Sequence, residues 1–339
     1  MNSQIYEEQT TIIIPSREFD ALLEKCINKI RELYKFIKII IILDELNEDV
    51  NPTIENILII KSENKNMSAK RNLGVSYSKT KYIAFLDSDA YPNRNWLENG
   101  VDFLEKNKDY SAVTGNQINP LSDNFEQRCL RLVRFSRLFT HKEWCIVIDK
   151  NAQEQDCSEV MTSNVIMKKA DYIKSGGMNE NIYLAEDNEF SERISKQGYK
   201  IRFIPAVCVF HRESKMYPFL RKIYCMSYYY ANTLAKGKPV KTLKQSVFQL
   251  FPLLGIISFL LLWFLFQQSK CLLFLPIFVF LILVLEAKKE AKKLEEKPFK
   301  GFFIILFTFC MFCAIWVIGS FLGLINFPSK DVQKCYKHY

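Results

Sequence analysis

The sequence predicts an α/β fold with a single, mostly parallel sheet, followed by an α-helical membrane domain. In roughly the first 215 of the 339 residues, short β-branched runs alternate with stretches of helical periodicity, as in strands joined by crossover helices. Long apolar runs follow. Residues 247–285 contain one charged residue, Lys270, and residues 302–327 contain none. This uneven composition excludes a fully soluble globular protein and a disordered one.

The strands and helices of the first part follow from its apolar patterns. Continuous runs rich in isoleucine are typical of strands covered on both faces, and apolar residues spaced three or four apart indicate helices. The predicted strands are residues 11–14, 37–43, 57–60, 82–86, 111–115 and 163–167, with one or two more in 199–210. The predicted helices are residues 19–34, 68–77, 96–103 and 187–196, whereas residues 119–160 show no regular pattern.

Three apolar runs are candidate membrane spans: residues 247–266, 271–285 and 302–327. About 20 residues of helix cross the apolar layer of a bilayer, so the second run is short and a re-entrant segment is the alternative. The connection 286–301 contains six lysines and is expected to be cytoplasmic. The protein is therefore predicted to be a multi-pass plasma-membrane protein, with its first domain in the cytoplasm and its tail, residues 328–339, outside.

The net charge of +9 is concentrated just before the first apolar run. Residues 1–211 have a net charge of −3 and residues 212–246 of +7, with aromatic residues among the basic ones. This pattern predicts an interfacial segment, residues 216–246, on anionic membrane lipids, and a solvated basic linker is the alternative. Nucleic acid is not expected as a partner, because the apolar runs follow directly. The ten cysteines have no framework spacing, which indicates reduced thiols in the cytosol.

The sharpest local signal is a pair of carboxylates, Asp87 and Asp89, which follow the apolar strand 82–86. Alternate residues of an extended segment share a face, so one cation can meet both. Ligands bind at the carboxyl edge of parallel sheets, and hard cations such as Mg²⁺ or Mn²⁺ take oxygen ligands and bridge phosphates. Two solvated turn carboxylates are the alternative, since this motif is common after strands.

Other predicted strands also end in polar residues. Asp44 and Glu45 follow the second strand, and Lys70 and Arg71 open a helix expected near the same edge. A diphosphate needs such cations or a metal ion in order to bind. The three strand ends together predict a nucleotide crevice, although Lys70 and Arg71 would also suit a surface helix face.

In their order along the chain, these motifs resemble family 2 glycosyltransferases, which have the glycosyltransferase A-type, Rossmann-like fold. The resemblance covers about residues 9–215. It rests on residues 12–16, 43–45, 69–74, 86–89, 162–164, 176–180 and 185–193, with Pro205 and His211. Two positions depart from the family pattern: Glu45 stands where a second aspartate is usual, and Met178-Asn179 where Phe-Asp is usual.

The resemblance implies a catalytic domain over residues 1–215, with a nucleotide-binding half at about 9–90 and an acceptor half at about 91–215. A nucleotide-diphosphate sugar would be the donor, and Mn²⁺ or Mg²⁺ the metal. The implied donor-binding residues are Pro15, Ser16, Arg17, Asp44, Glu45, Lys70, Arg71, Asp87 and Ser88. The implied metal ligands are Asp87, Asp89 and His211, and the implied acceptor-binding residues are Asn164, Gly176, Gly177 and Glu186.

The resemblance also implies that Asp187 is the general base of an inverting transfer, with Glu186 orienting the acceptor or Asp187. Carboxylates at the start of a predicted helix are also favoured by its free N–H groups, without any catalytic role. For His211 the alternative is a strand-end histidine near the membrane.

The sequence thus predicts a membrane-bound inverting glycosyltransferase of cell-envelope polysaccharide or glycoconjugate synthesis. Its acceptor would be a hydroxyl of a lipid-linked glycan, and a polyprenyl-phosphate glycosyltransferase is the alternative. A nucleotidyltransferase is disfavoured, because residues 15–19 contain no glycine. A processive synthase is disfavoured by the absence of a Gln-x-x-Arg-Trp motif. An inactive scaffold is expected to have lost a metal-binding or general-base carboxylate, whereas Asp87, Asp89 and Asp187 are all present.

Overall fold

The computed structural model describes residues 3–46, 53–136, 138, 153–237, 264 and 274–327. These residues form two compact units. Among the described residues, the first unit contains residues 3–46, 53–120 and 153–212, and the second contains residues 121–136, 213–237 and 274–327. The predicted span 247–266, apart from residue 264, and the predicted tail 328–339 lie outside the described residues, as does the start of the span 271–285.

Helices and strands alternate through the first unit, and the second unit is helical. In chain order, the elements up to residue 118 are α1 (Ser3–Gln9), β1 (Thr10–Pro15), α2 (Ala21–Leu33), β2 (Lys38–Leu43), β3 (Thr53–Ile54), β4 (Ile57–Lys61), α3 (Met67–Tyr77), β5 (Tyr82–Phe85), β6 (Ala90–Pro92), α4 (Trp96–Lys106), β7 (Tyr110–Thr114) and β8 (Gln117–Ile118). They continue with α5 (Phe125–Arg134), β9 (Gln155–Cys157), β10 (Val165–Lys168), α6 (Lys169–Lys174), α7 (Glu186–Lys196), β11 (Lys200–Phe203), β12 (Val209–His211), α8 (Met216–Ala235), α9 (Phe274–Ala291) and α10 (Pro298–Leu324).

The first unit is built on a nine-stranded sheet in the order β3-β4-β2-β1-β5-β10-β7-β11-β9. Strands β4, β2, β1 and β5 are parallel neighbours, whereas β10 runs antiparallel to both β5 and β7. The predicted α/β fold is confirmed, with a mixed sheet in which six of the nine strands run in one direction and β3, β9 and β10 run in the other. A second sheet, in the order β6-β12-β8, was not expected, because strands of two or three residues are too short to show a periodic pattern.

The isoleucine runs of β1 and β2 are continuous because both faces of the sheet are covered. Ile12 and Ile39 belong to a core cluster that includes residues of α2 and α4. Ile13 and Ile40, one residue further along each strand, belong to a separate cluster that includes residues of α7. Since successive side chains of a strand point to opposite faces, each apolar position serves one of two cores.

Helix α3 lies close against the sheet at Gly74. A Cβ atom at this position would lie 2.8 Å from Cδ1 of Ile42 and closer still to Ile13, so a larger residue does not fit. Asn66 caps the helix by accepting hydrogen bonds from the backbone N–H groups of Ser68 and Ala69. The close approach and the cap fix the first turns of α3 beside the strand ends.

The second unit contains a helix that the sequence analysis did not predict. Residues 119–160 were expected to be irregular, but α5 spans Phe125–Arg134 and begins with a capping box formed by Asn124 and Gln127. Its apolar residues pack in one core with α8, α9 and α10. The apolar residues of this helix do keep helical spacing, so the prediction overlooked a periodic signal that was present. Residues 121–136 therefore pack outside the unit that corresponds to the predicted catalytic domain, residues 1–215.

The predicted polar connection 286–301 is much shorter in the structure. Helix α9 continues to Ala291 and α10 begins at Pro298, which leaves residues 292–297 between them. Alanine, lysine and glutamate are strong helix formers, so a change from apolar to charged residues does not end a helix. Proline suits the first turn of α10, because its missing N–H has no partner there.

Candidate functional site

Three parallel strands of the large sheet end together. In the register of the sheet Pro15 lies opposite Ile42, and Ile13 lies opposite Phe85. The residues that follow these strands therefore meet at one edge, which we call the carboxyl edge. The sequence analysis expected the strand ends to converge in this way.

Lys70 joins the first two strand ends. Its side chain is 1% exposed, contacts the Asp44 carboxylate, and donates a hydrogen bond of 2.6 Å to the carbonyl oxygen of Ser16. Burial lowers the pKa of Lys70, and the hydrogen bond with Asp44 opposes that shift. Lys70 is therefore an internal cross-link of the site and not part of a solvated helix face.

Other predicted donor-binding residues lie around this cross-link. Pro15 and Ser16 are buried, and Ser88 is half-buried in the turn after β5. Arg17 is exposed, and its carbonyl oxygen accepts a hydrogen bond from the Asp44 N–H. Glu45 is 74% exposed, with Lys65 at 3.6 Å, so the structure does not bring it into the buried part of the site.

Arg71 joins the carboxyl edge to the start of helix α7. One guanidinium nitrogen, Nη2, is 3.1 Å from Oδ1 of Asp87, and the other, Nη1, is 3.0 Å from Oε1 of Glu186. The Arg71 side chain is only 3% exposed. Burial by itself lowers the pKa of Arg71, but the two carboxylates outweigh it and the net shift is upward. Arg71 is therefore a permanent internal cation between two acidic groups.

Three carboxylates lie in the first turn of α7, and two of them, Glu186 and Asp187, are the predicted catalytic residues. The helix is preceded by Ala185, whose φ of 60° places it in the left-handed region. Burial raises the pKa of Glu186, and the charge of Asp187 raises it further against the opposing effect of Arg71. Asp187 is half-buried, and its Oδ1 accepts a 2.8 Å hydrogen bond from the N–H of Asn188. The Glu186 carboxylate is thus bound by Arg71, whereas the Asp187 carboxylate, next in the chain, accepts a hydrogen bond from the backbone of α7.

The small sheet brings His211 to the aspartates. Strand β12 runs antiparallel to β6 with His211 opposite Ala90, next to Asp89. Nε2 of His211 is 3.2 Å from Oδ1 of Asp89 and 4.0 Å from Oδ2 of Asp87. Potential ligand atoms of the three residues all lie within 4.8 Å of one another. Two carboxylates and an imidazole fit a divalent cation, and Mn²⁺ accepts such a mixed set more readily than Mg²⁺, which prefers oxygen.

Asn164, a predicted acceptor-binding residue, is fully buried. Its Nδ2 donates to the carbonyl oxygens of Asn116 and Val207, and its Oδ1 accepts from the indole N–H of Trp96 at 2.8 Å. These contacts hold the start of β10 in place. Asn164 therefore lies inside the protein, whereas the resemblance implied that it contacts an acceptor.

Gly176 and Gly177 form the turn after α6. Their φ values are 90° and 66°, which favour glycine. A Cβ on Gly177 would lie 2.8 Å from Oδ1 of Asn72, and the Gly177 carbonyl oxygen accepts a 2.6 Å hydrogen bond from Arg193. The two glycines are required by the turn itself, and contact with an acceptor stays a prediction.

A family comparison supports the interpretation of this site. Residues 11–164 match the family model described as "Glycosyl transferase family 2". The chain carries a family 2 glycosyltransferase domain. The match includes the three strand ends, Lys70, Arg71 and both aspartates of the carboxyl edge.

A solved structure shares the fold of this chain. It is a mannosyltransferase, PcManGT, from Pyrobaculum calidifontis, in complex with GDP-Man and Mn²⁺. The two chains are 14% identical, with a TM-score of 0.58 over 94% of this chain and 88% of that one. At this identity the likeness supports the glycosyltransferase A-type fold alone.

Curated relatives are also glycosyltransferases. Glycosyltransferase GlyA of Streptococcus pneumoniae is 28% identical over 102 residues, which are 28% of this chain and 15% of GlyA. The pre-mycofactocin glycosyltransferase of Mycobacterium tuberculosis H37Rv is 23% identical over 214 residues, 59% of this chain and 42% of the relative. The chain therefore spans less than half the length of each of these two relatives.

Sequence reasoning missed one residue of the site, Gln117. Its Oε1 is 3.0 Å from Nδ1 of His211. Nothing in the local sequence marks it, because Gln117 lies in a two-residue strand at the edge of a region that showed no pattern.

Proposed function

We propose that this glycosyltransferase domain catalyses an inverting, metal-dependent transfer of a sugar from a nucleotide-diphosphate sugar to a hydroxyl group. The observation that carries the proposal is the bridge made by Arg71. Its guanidinium group contacts Asp87 of the carboxyl edge and Glu186 of α7, so the aspartate pair and the start of α7 lie next to one another. Donor activation and acceptor activation require two such acidic groups side by side.

The donor would bind across the strand ends. Asp44, held by Lys70, would bind the nucleoside, and the diphosphate would lie beside Asp87 and Ser88. A divalent cation held by Asp87, Asp89 and His211 would neutralise the charge that develops on the leaving diphosphate. The mixed oxygen and nitrogen ligand set favours Mn²⁺ for this role.

Asp187 would be the general base. It would take the proton from the acceptor hydroxyl as that oxygen attacks the anomeric carbon, and the diphosphate would leave in the same displacement. No covalent sugar intermediate is needed. Glu186 suits the role less well, because its carboxylate is bound to Arg71. A positioned general base typically contributes about 10²- to 10⁴-fold to the rate.

We further propose a lipid-linked glycan as the acceptor and membrane attachment through the second unit. Among the described residues one helix, Pro298–Leu324, is long and apolar enough to cross a membrane. Large apolar side chains such as Phe278, Phe303 and Phe307 are exposed on α9 and α10. Exposed apolar surface of this extent suits contact with lipid. Lys288 and Lys289 in the last turn of α9 support the cytoplasmic orientation proposed for the first unit. A role in cell-envelope synthesis is part of the same proposal.

The reaction class can be tested with purified protein in detergent. We would incubate it with a panel of nucleotide sugars and Mn²⁺ or Mg²⁺, and measure the nucleoside diphosphate released. Asp187→Asn and Asp89→Asn are each expected to lower the release by at least about 100-fold. Glu192→Gln, a carboxylate on the same helix paired with Lys196, is the matched control and is expected to keep full activity.

The products separate the competing functions. Release of pyrophosphate in place of nucleoside diphosphate would indicate a nucleotidyltransferase. Donor binding in the presence of metal without release under any condition would support an inactive scaffold, provided that membrane lipid extracts fail to restore turnover. With labelled donor, label that enters the lipid phase supports the lipid-linked acceptor. Label found only in soluble glycan would refute it.

A further inference from the structure

His211 contacts a buried residue of the small sheet, Gln117. Strand β8 begins at Gln117 and runs parallel to β12, with Gln117 opposite Val209. His211 lies two residues beyond Val209 and therefore on the same face of β12. Oε1 of Gln117 is 3.0 Å from Nδ1 of His211, and Gln117 is 3% exposed.

The other contacts of Gln117 determine which way its amide is turned. Nε2 lies 2.6 Å from Oγ of Ser163 and 3.2 Å from Sδ of Met161. A thioether sulfur accepts hydrogen bonds and cannot donate them. The atom that faces Met161 must therefore be the NH₂ group, and the carbonyl oxygen of the amide faces His211.

This orientation selects one tautomer of His211. Because the Gln117 oxygen can only accept, the proton of the neutral imidazole lies on Nδ1. The lone pair is then on Nε2, the nitrogen that lies 3.2 Å from Asp89 and 4.0 Å from Asp87. A histidine ligand must present a lone pair to the metal, and its tautomer is set by the partner of the other nitrogen.

We propose that Gln117 is a positioning residue of the metal site, which holds His211 with Nδ1 protonated and Nε2 directed at the cation. The inference rests on the proposed function, since it takes Asp87, Asp89 and His211 as the metal ligands. Without the Gln117 oxygen, the proton can move to Nε2 and be donated to Asp89. The cation would then compete with a hydrogen bond inside the site.

The test is Mn²⁺ binding by the full chain in detergent, which needs neither donor nor turnover. Electron paramagnetic resonance measures free Mn²⁺ during a titration, and ¹⁴N hyperfine coupling reports a coordinated imidazole. Gln117→Leu removes the acceptor at similar volume and is expected to weaken Mn²⁺ binding by about 10- to 100-fold, with loss of the ¹⁴N coupling. Gln117→Glu keeps an oxygen that accepts from Nδ1, so both signals are expected to stay.

Two further variants make the result decisive. Gln127→Leu applies the same substitution to another buried glutamine, whose Nε2 binds the Glu213 carbonyl oxygen, and is expected to leave Mn²⁺ binding unchanged. His211→Ala checks the ligand set itself. The inference about Gln117 is wrong if Gln117→Leu binds Mn²⁺ like the wild type. It is also wrong if Gln117→Leu and Gln117→Glu weaken Mn²⁺ binding equally. Neither result contradicts the proposed metal ligands Asp87, Asp89 and His211. If His211→Ala binds like the wild type, the ligand set of the proposed function is wrong as well.

Discussion

Arg71 is the residue at which the two acidic parts of the site meet. A buried arginine is stable only when carboxylates compensate for its lost hydration, and Asp87 and Glu186 do so here through separate nitrogens. Its planar guanidinium makes both contacts at fixed angles, which a lysine ammonium could not reproduce. Each carboxylate therefore depends on Arg71 for its charge balance.

Removing Arg71 is expected to destabilise the protein and to abolish transfer. Arg71→Leu leaves Glu186 without its cation, so we expect the free energy of unfolding to fall by about 3 kcal/mol. Adding Glu186→Gln should restore part of the lost stability, because residue 186 then carries no uncompensated charge, whereas Asp87 still does. Arg94→Leu, at an exposed arginine, is the control and should change stability by less than about 0.5 kcal/mol. Thermal unfolding of the wild type and the three variants checks the stabilities, and a double variant less stable than Arg71→Leu would contradict this prediction.

Glu213 gives a residue-scale prediction about pH in the second unit. Its carboxylate accepts hydrogen bonds from Nε and Nη2 of Arg134 at 2.9 and 2.6 Å. Burial raises the pKa of Glu213, but Arg134 and Arg131 outweigh it, so the pKa lies below its ordinary value. A depressed acid pKa contributes stability that is present above the unfolded-state pKa. That contribution is lost as the pH falls through the folded-state pKa.

The loss of stability in Arg134→Met should therefore depend on pH. At pH 7 the variant leaves a buried carboxylate with less compensation, so its melting temperature should fall clearly below that of the wild type. As the pH falls toward 4, protonation of Glu213 should reduce the difference in melting temperature between the variant and the wild type. Arg128→Met, whose more exposed side chain is 3.7 Å from Glu296, is expected to have a small effect. If the difference in melting temperature between Arg134→Met and the wild type is constant from pH 4 to pH 8, the Glu213 carboxylate does not contribute pH-dependent stability and this prediction is wrong.

At the scale of elements, helices α8 and α10 pack through glycines. A Cβ on Gly319 would lie 2.9 Å from the carbonyl oxygen of Tyr224 and closer still to Ser227. A Cβ on Gly323 would lie 3.0 Å from Cβ of Ala231. Glycines four residues apart allow two helix backbones to approach closely, as in membrane-embedded helix pairs.

Gly319→Val is expected to separate these helices. The added side chain overlaps backbone and side-chain atoms of α8 that have little room to move, which should lower the free energy of unfolding by about 1–3 kcal/mol. The neighbouring exposed residue provides the control, since Ile318→Val removes one methylene group without burying anything. Thermal unfolding in detergent measures both variants, and equal melting temperatures would show that the glycine is not required.

At the scale of the whole molecule, a soluble-type α/β unit and an apolar helical unit are joined in one chain. Exposed phenylalanines on α9 and α10 leave the second unit with an apolar surface that water solvates poorly. Helix α10 has 27 residues and is about 40 Å long, which exceeds the apolar thickness of a bilayer. If the chain lies in a membrane, as proposed, the basic residues of 212–246 are expected to add electrostatic attraction to anionic lipids.

We expect the chain to behave as an integral membrane protein. Alkaline carbonate and 1 M salt remove proteins that are held at a membrane by charge alone. At 1 M salt the Debye length is about 3 Å, so the attraction between exposed charges is screened. The chain should stay with the membrane under both conditions and leave it only in detergent. Release by salt would indicate attachment by the basic segment alone and would exclude spanning helices.

The regular elements and the chemistry of the strand ends could be predicted because their signals are local. The isoleucine runs of β1 and β2 and the carboxylates after β5 are each contained in a few consecutive residues. Helix α5 and the strands of the small sheet escaped prediction. The helix has only ten residues, half of them polar, inside a stretch interpreted as irregular, and those strands are no longer than three residues.

By itself, the sequence determined the fold class, the sheet edge at which Asp87 and Asp89 emerge, and the residue types able to hold a cation or remove a proton. Only the tertiary structure decided which of these residues are partners. Arg71 reaches Glu186 across 115 positions of the chain, and Gln117 reaches His211 across 94. Spacing along the chain sets which residues share a strand or a helical face, whereas such distant contacts depend on sheet order and register. These arise from the packing of the whole unit.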